Sequence, residues 1–318
     1  WRARALTALN PPQTTQTTQT AKKLFEQTAR HDDFYGLLAR EELGWPLALP
    51  APPAALSRQD MEEVRANTGL QRALRLFQLG ARQEAVPAWN FALRGMSERQ
   101  LRAAAALAHQ AQVFDRVINT ALLAQTENDA AQRFVTPFET FVSAAARATD
   151  VEAAWIYGLI RQESRFILEA RSSAGAAGLM QLMPATARWV AAKIGMKNFR
   201  LKKIDDAQTN TLLGTHYLSL VQARFDGSQI LATAGYNAGP NRAAQWRERL
   251  KAPQEGAVFI ETIPFTETRL YVKNVLANTM HYALALGVEP ASLKARLGVV
   301  APPAVASPEA LALNTDLP

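Results

Sequence analysis

The sequence predicts an all-α protein, and three observations carry that prediction. Apolar residues recur at helical spacing through consecutive short stretches, and those stretches are bounded by helix-start and helix-stop residues. No period-2 run of five or more residues sits between turn signals, and hairpin dipeptides are scarce apart from Asp226-Gly227. With 318 residues, 48% of them apolar, the chain can bury a sizeable core. At roughly 100–200 residues per domain, that length suggests two domains.

Composition narrows the chemistry. There is no Cys, so disulfides, thiolate nucleophiles and Cys-based metal centres are excluded. The four His, at 31, 109, 216 and 281, are not paired at metal-ligand spacing, which argues against a zinc enzyme. No apolar run approaches the roughly 18–20 residues of a membrane-spanning helix. The chain starts at Trp1 and carries no charged segment followed by an apolar one, so we read it as a fragment or mature form whose export signal would lie upstream. Lys and Arg number 35 against 28 Asp and Glu, a formal charge of +7. The excess is 17 against 15 in residues 1–150, 16 against 11 in residues 151–290, and 2 against 2 thereafter. Such a bias favours anionic partners without demanding nucleic acid.

In chain order, a Gln/Thr-rich patch at 11–20 leads into a helical stretch over 20–42, and prolines between Trp45 and Pro53 end it. Five short helices are expected over 58–66, 68–79, 82–94, 97–110 and 112–124, with breaks at Gly80 and Gly95. Ser97 and Gln100 have the spacing of a capping box. Leu74, Phe77, Leu79, Trp89, Phe91 and Leu93, with the alanine run 103–108, suit closely stacked hairpins in the manner of a solenoid, although no strict repeat is present. Near Pro137 the sequence becomes richer in Gly, Asn, Tyr and Met. Past residue 288 it is Ala/Pro-rich, with too few large side chains for a core of its own, and is expected to run along the surface or to form a partly ordered tail. The expected division is therefore a helical-hairpin region at 1–135, a mostly helical second domain at 136–288 and a tail at 289–318.

Four segments of the second domain can carry chemistry. In VEAAWIYGLIRQESRF (151–166) the apolar positions 156, 159 and 160 share a helix face, and the same face arrives at Glu163. Burial there would raise the carboxyl pKa towards neutrality, the property of a general acid. The plainer reading places Glu163 on the rim, paired with Arg161 or Arg165. SSAGAAGLMQLMPATA (172–187) combines a loop at Gly175 and Gly178 with a helix start at Pro184. Gln181, Met180 and Met183 could line a wall for a sugar, or the segment is an ordinary helix–loop–helix with Met in the core. AGYNAGPNRAAQW (234–246) ends one helix at Gly235–Asn237 and starts another at Pro240, holding Tyr236 and Asn237 at the break, for sugar contact or for capping. FIETIPFTETRLYVKNV (259–275) puts Pro264 ahead of a long helix with Thr266 at its N-cap and Glu267, Arg269 and Tyr271 in its first turns. Glu261 and Glu267 either face the same cleft as Glu163 or favour the positive end of that helix.

Together these segments resemble the catalytic domain of the soluble lytic transglycosylases, which cleave bacterial peptidoglycan on a goose-type lysozyme-like fold. The resemblance rests on Glu163-Ser164, GLMQLMP (178–184), YNAGP (236–240) and IPFTETRLYVKNV (263–275), and covers about residues 140–288. The preceding hairpins, with HDDFYGLLAREELG (31–44), are similar to the end of that family's superhelical and linker portions, so much of its large ring is expected to be missing here. Leu182, where Ile is commoner, and Asn241, where Gly is frequent, are the departures.

The resemblance implies that Glu163 is a single catalytic acid and base. It implies that Ser172, Gln181 and Met183 line the glycan groove, that Tyr236 and Asn237 flank the acid, and that Glu267, Arg269 and Tyr271 close the site. The implied reaction cleaves the bond between N-acetylmuramic acid and N-acetylglucosamine with formation of a 1,6-anhydro ring. The implied partner is the peptidoglycan strand, in the periplasm, with no metal, organic cofactor, membrane span or nucleic acid. A hydrolytic muramidase on the same fold and a non-catalytic peptidoglycan-binding scaffold are the rivals, with nucleic-acid binding a third motivated by charge alone.

Overall fold

In the computed structural model, which describes residues 1–9, 15–303 and 317, the helical stretch expected over 20–42 divides in two. Helices α1 (Arg2–Leu9) and α2 (Thr15–Thr28) precede α3 (Phe34–Glu42). The break arises because Asp33 accepts the Gly36 N–H at 2.8 Å, capping α3 and stopping the run before it. Of the Gln/Thr-rich patch, positions 11–14 lie outside the described residues and the remainder opens α2. Residues 45–57 have no regular secondary structure, as their prolines dictate.

The five expected hairpin helices are α4 (Arg58–Ala66), α5 (Thr68–Gln78), α6 (Arg82–Ala92), α7 (Glu98–Gln110) and α8 (Phe114–Ala121), the last ending three residues early. Side-chain caps start three of them. Ser57 with Asp60 and Ser97 with Gln100 form reciprocal capping boxes, and Asn67 accepts from the Leu70 N–H. Helix α5 packs on α6, α7 on α8, and α4 on α7. The alanines allow this closeness: Ala103, Ala104, Ala105 and Ala108 are fully buried. Trp89 is buried too, and its indole N–H donates to Thr120 Oγ1 at 3.0 Å.

The short α9 (Ala130–Arg133) connects to α10 (Glu139–Thr149), α11 (Ala153–Glu163), α12 (Pro184–Lys193), α13 (Ala207–Arg224), α14 (Gln229–Ala238) and α15 (Pro240–Glu248). A two-residue strand β1 (Gln254–Glu255) then leads to α16 (Gly256–Thr262), α17 (Thr266–Ala285), α18 (Leu293–Leu297) and β2 (Val299–Val300). Strands β1 and β2 pair antiparallel and form the one sheet among the described residues. Among those residues no helix is long and apolar enough to cross a membrane.

Helices α11 and α17 form the centre. Trp155, Ile156, Leu159 and Ile160 of α11 are wholly buried, as are Val272, Val275 and Leu276 of α17. Tyr157 stacks on Tyr282 with ring centroids 5.3 Å apart. Gly158 sets the separation: a Cβ there would lie 2.9 Å from the Val275 carbonyl oxygen and 2.9 Å from Thr279 Oγ1. Any larger residue would push the helices apart.

The two ends of the chain dock against this centre. Helix α3 packs on α17 and α18. Residues 293–300 do more than run along the surface. Leu293, Leu297 and Val300 are buried, and Glu41 accepts the N–H groups of Leu293 and Lys294 at the start of α18. Three apolar residues at the right spacing suffice when an existing core receives them. Residues 304–316 and 318 lie outside the described residues.

Gly158→Ala recovers about 1 kcal/mol of helix propensity but must displace backbone on α17. A net destabilisation of about 1–3 kcal/mol is expected, read as a lower urea midpoint at unchanged m-value.

Candidate active site

Glu163 ends α11 on the face predicted for it. The Tyr271 hydroxyl, from the second turn of α17, donates to Glu163 Oε1 at 2.5 Å. Among the described residues Oε2 has no protein partner. Burial pushes the Glu163 carboxyl up to about 7; the Tyr271 hydrogen bond works against that rise and the nearby charge of Glu267 adds to it. The pairing with Arg161 or Arg165 does not occur. Arg161 donates to the Arg133 carbonyl and lies over the Phe134 ring, and Arg165 donates to Asn119. Glu163 therefore meets two phenols and a second carboxylate, with no cation bonded to it.

The turn after Glu163 is sharp. Arg165 and Phe166 both have positive φ, at 49° and 66°, unusual for residues with side chains. Ser164 holds this turn, accepting the Phe166 N–H at 3.1 Å and donating to the Ile160 carbonyl at 3.3 Å.

The loop from Ser172 to Met183 is built from backbone outward. The Ser172 N–H donates to the Ala176 carbonyl at 3.0 Å, and the Ser172 Oγ accepts the Ala176 N–H at 3.0 Å. Gly178, at φ 79°, faces Asn210, whose Nδ2 would stand 2.2 Å from any Cβ. Asn210 is fully buried. It donates to the carbonyls of Ala177 and Ile204 and accepts the Met180 N–H at 2.7 Å. Gln181, at φ 45°, donates to the carbonyls of Ala170 and Gly178. Met183 stands 42% exposed at the N-cap of α12, with Pro184 in the first turn as expected, whereas Met180 is fully buried and belongs to the core.

Tyr236 donates to the Met180 carbonyl at 2.8 Å, tying α14 to that loop, and its ring lies 5.2 Å from Tyr217. Burial first, then the charge of Glu163, hold its phenol well above its usual range, so it stays a neutral donor. Tyr271 is held up in the same way, by burial and by Glu163. Asn237 accepts from Thr268 Oγ1 at 2.7 Å, joining α14 to α17. Helix α14 runs through Ala238 and breaks at Gly239, one residue beyond the expected stretch.

One expectation for the last segment is corrected. Thr266 is the first helical residue, not the N-cap. Phe265 occupies the N-cap position without a side-chain bond, and Thr266 Oγ1 accepts from Arg269 at 3.3 Å. Arg269 also donates to the Ile263 carbonyl at 3.0 Å and so braces the turn at Pro264. Glu261 does not share the site. Its carboxylate takes Lys273 at 2.7 Å, the Tyr35 hydroxyl at 2.5 Å and the Trp1 indole N–H at 3.2 Å. Lys273 lies two residues beyond Tyr271, about 200° around the helix and thus on its other side. Glu267 is exposed and close enough to raise the Glu163 pKa.

Asn210, Thr268 and Tyr217 were not singled out in the sequence. Asn210 left a usable signal, an amide in the interior of a helical stretch, whereas Thr268 and Tyr217 fit any helix.

The raised carboxyl makes a stability prediction. Between the ordinary carboxyl value near 4.5 and the folded value near 7, the folded chain holds a proton that the unfolded chain has lost, so stability declines with rising pH through this window. Glu163→Gln removes that decline. Its unfolding free energy should exceed that of the parent by an amount growing from pH 4.5 to 7 and levelling at about 1–3 kcal/mol, measured by urea unfolding at several pH values.

A model of the Transglycosylase SLT domain matches residues 140–259. The Soluble lytic murein transglycosylase L domain matches residues 63–128, and the Soluble lytic transglycosylase helical domain matches residues 262–290. The soluble lytic murein transglycosylase of Salmonella typhimurium is 27% identical over 274 residues, 85% of this chain and 42% of the relative. Among solved structures, an inactive glutamate-to-glutamine mutant of lytic transglycosylase Slt from Pseudomonas aeruginosa superposes with TM-score 0.79 at 34% identity, covering 92% of this chain and 47% of that one. The 70 kDa soluble lytic transglycosylase of Escherichia coli gives 0.77 at 25% identity, covering 92% and 46%. The chain spans less than half the length of the curated relatives it matches. With this helical fold, the Glu163 constellation and matches spread from residue 63 to residue 290, the chain belongs to the soluble lytic transglycosylase family.

Proposed function

We propose that this chain is a non-hydrolytic peptidoglycan lytic transglycosylase in which Glu163 is the single acid and base. The observation that carries the reading is a carboxyl kept protonated near neutrality by burial, with one oxygen bonded by Tyr271 and the other open. A general acid works best when its pKa lies near the working pH. The carboxyl delivers its proton to the glycosidic oxygen between N-acetylmuramic acid and N-acetylglucosamine, while the substrate's own acetamido oxygen supports the cationic sugar carbon. The carboxylate then removes the proton of the muramoyl 6-hydroxyl, which attacks that carbon and closes the 1,6-anhydro ring. An internal hydroxyl held in place has an effective molarity of about 10⁵ M or more, well above the roughly 55 M of water. Support also comes from the P. aeruginosa relative, whose glutamate-to-glutamine mutant is described as inactive.

In this reading Ser172, Gln181, Met183, Tyr236, Asn237, Glu267, Arg269 and Tyr271 surround the glycan. Ser172, Met183 and Glu267 offer their side chains at the surface, while Gln181, Asn237 and Arg269 hold the walls through the bonds described above. The helical-hairpin region 1–135 supports the 136–288 unit, and the setting is the periplasm. The closeness of Glu267 to Glu163 favours one rival, a muramidase in which Glu267 activates water, as two-carboxylate glycosidases do.

Mass spectrometry of the released muropeptides separates the two, because a hydrolytic product is heavier by one water; anhydro products are expected. Glu163→Gln should lower kcat by at least about 100-fold, and full wall-clearing activity in that variant would leave only a scaffold. Activity should fall as pH rises through about 7, where Glu163 loses its proton. Because the Tyr271 bond holds that pKa down, Tyr271→Phe should move this limb to higher pH, read from kcat/KM profiles.

A further inference from the structure

Glu163 is the last residue of α11, and the chain leaves it through Arg165 and Phe166, both in the left-handed region at φ 49° and 66°. A side chain makes that region unfavourable, and two such residues in succession persist only where their surroundings hold them. Phe166 is held locally. It is buried, its N–H donates to Ser164 Oγ at 3.1 Å, and its ring lies 6.1 Å from that of Tyr157. Arg165 is held from a distance: its side chain crosses to the helical-hairpin region and donates to Asn119 Oδ1 on α8. Among the described residues this is the one side-chain hydrogen bond joining residues 164–168 to helices α4–α8.

Charge does not explain where Arg165 sits. Arg161 and Arg116 are close enough for their charges to act against it, and the nearby carboxylate, Asp115, already binds Arg82 and Arg116. Arg165 takes a neutral amide instead. Packing does not fix the turn either, because a cavity of about 440 Å³ opens behind it between Phe77, Phe114, Phe138, Phe166 and Leu168. The anchor itself is firm. On α8, Val117, Ile118 and Thr120 are buried, Thr120 accepts from Trp89, and Arg116 is fixed by Asp115 and Asn90. Arg165 follows Glu163 by two residues, at most about 7 Å of chain, so a shift of the turn reaches the carboxyl directly.

We propose that Asn119 is a positioning residue for the acid: by holding Arg165 it keeps the turn after Glu163 left-handed, and so fixes the direction in which Glu163 leaves α11. The helical-hairpin region thereby sets the aim of the carboxyl towards Tyr271 and the scissile bond. This deepening rests on Glu163 being the acid of the function proposed above. Asn119 acts only through Arg165 and the backbone, at a distance from the glycan.

The test uses the full chain, with kcat and KM measured from muropeptide release on glycan strands well below the unfolding temperature. Asn119→Ala and Arg165→Ala should each lower kcat about tenfold with KM little changed, because a misplaced acid slows the reaction without weakening binding. Arg165→Gly should recover most of that loss, since glycine adopts positive φ without strain. In the Arg165→Gly background, Asn119→Ala should cost nothing further. A merely structural contact would not be rescued by glycine. A second readout needs no turnover: the ¹³C shift of the Glu163 carboxyl, assigned by its loss in Glu163→Gln, should move in both alanine variants and return towards the parent value in Arg165→Gly. Parent-like kcat in both alanine variants, Arg165→Gly as slow as Arg165→Ala, or an unmoved carboxyl shift would overturn the inference. Hydrolytic products from the parent, or full activity in Glu163→Gln, would instead count against the proposed reaction, while the carboxyl shift would still read the positioning.

Discussion

The close approach of α11 and α17 is the constraint on which the site depends. Gly158 permits it, since the space a side chain would need is filled by the Val275 carbonyl and Thr279. Once the helices are that close, the end of α11 and the second turn of α17 come together, and the Tyr271 hydroxyl reaches Glu163. The same packing removes water from around the carboxyl and raises its pKa. One backbone contact thus sets both the geometry of the acid and its protonation state. Helix α14 is drawn into the arrangement through Asn237 and Thr268, and the 172–183 loop through Tyr236 and Met180.

The polar groups around this centre are largely satisfied without placing a cation on Glu163. Arg161, only two residues away, is spent on the Arg133 carbonyl and the Phe134 ring. His281 stacks on Phe134, and burial lowers its pKa to about 4, so it stays neutral at physiological pH. Asn210 supplies two bonds to the loop around Gly178, at Ala177 and Met180, and a third to the Ile204 carbonyl. Three of the non-glycine residues with positive φ, Arg165, Phe166 and Gln181, flank the acid and the loop beside it. A carboxyl held neutral needs surroundings that give it no compensating positive charge and little water, and these contacts meet that need.

The ends of the chain brace the opposite side of α17. Glu261 and Lys273 join Tyr35 and Trp1 there. Arg4 donates to Glu255, and Glu41 binds the start of α18. Glu261 was one of two carboxylates that could have faced the acid. The turn at Pro264 directs it to Lys273, while Glu267, six residues on, is left in the electrostatic range of Glu163. Spacing around a proline turn does not reveal which way each carboxylate faces, because the answer depends on what packs behind the turn.

Local chemistry explains what was legible in the residues alone. Caps at Ser57, Asn67 and Ser97, left-handed glycines at 80 and 95, and Pro184 and Pro240 at helix starts act within a few residues, so helix positions from 58 to 110 and the face carrying Glu163 could be read directly. The break at Asp33, the placement of Thr266 inside its helix and the docking of Leu293, Leu297 and Val300 escaped that reading. The docking turns on partners more than 200 residues away, such as Glu41 against α18. By itself the sequence determined an all-helical chain with one glutamate on an apolar helix face. Only tertiary structure decided that this glutamate meets Tyr271 and no arginine, because desolvation and hydrogen bonding at a site are set by segments distant in the chain.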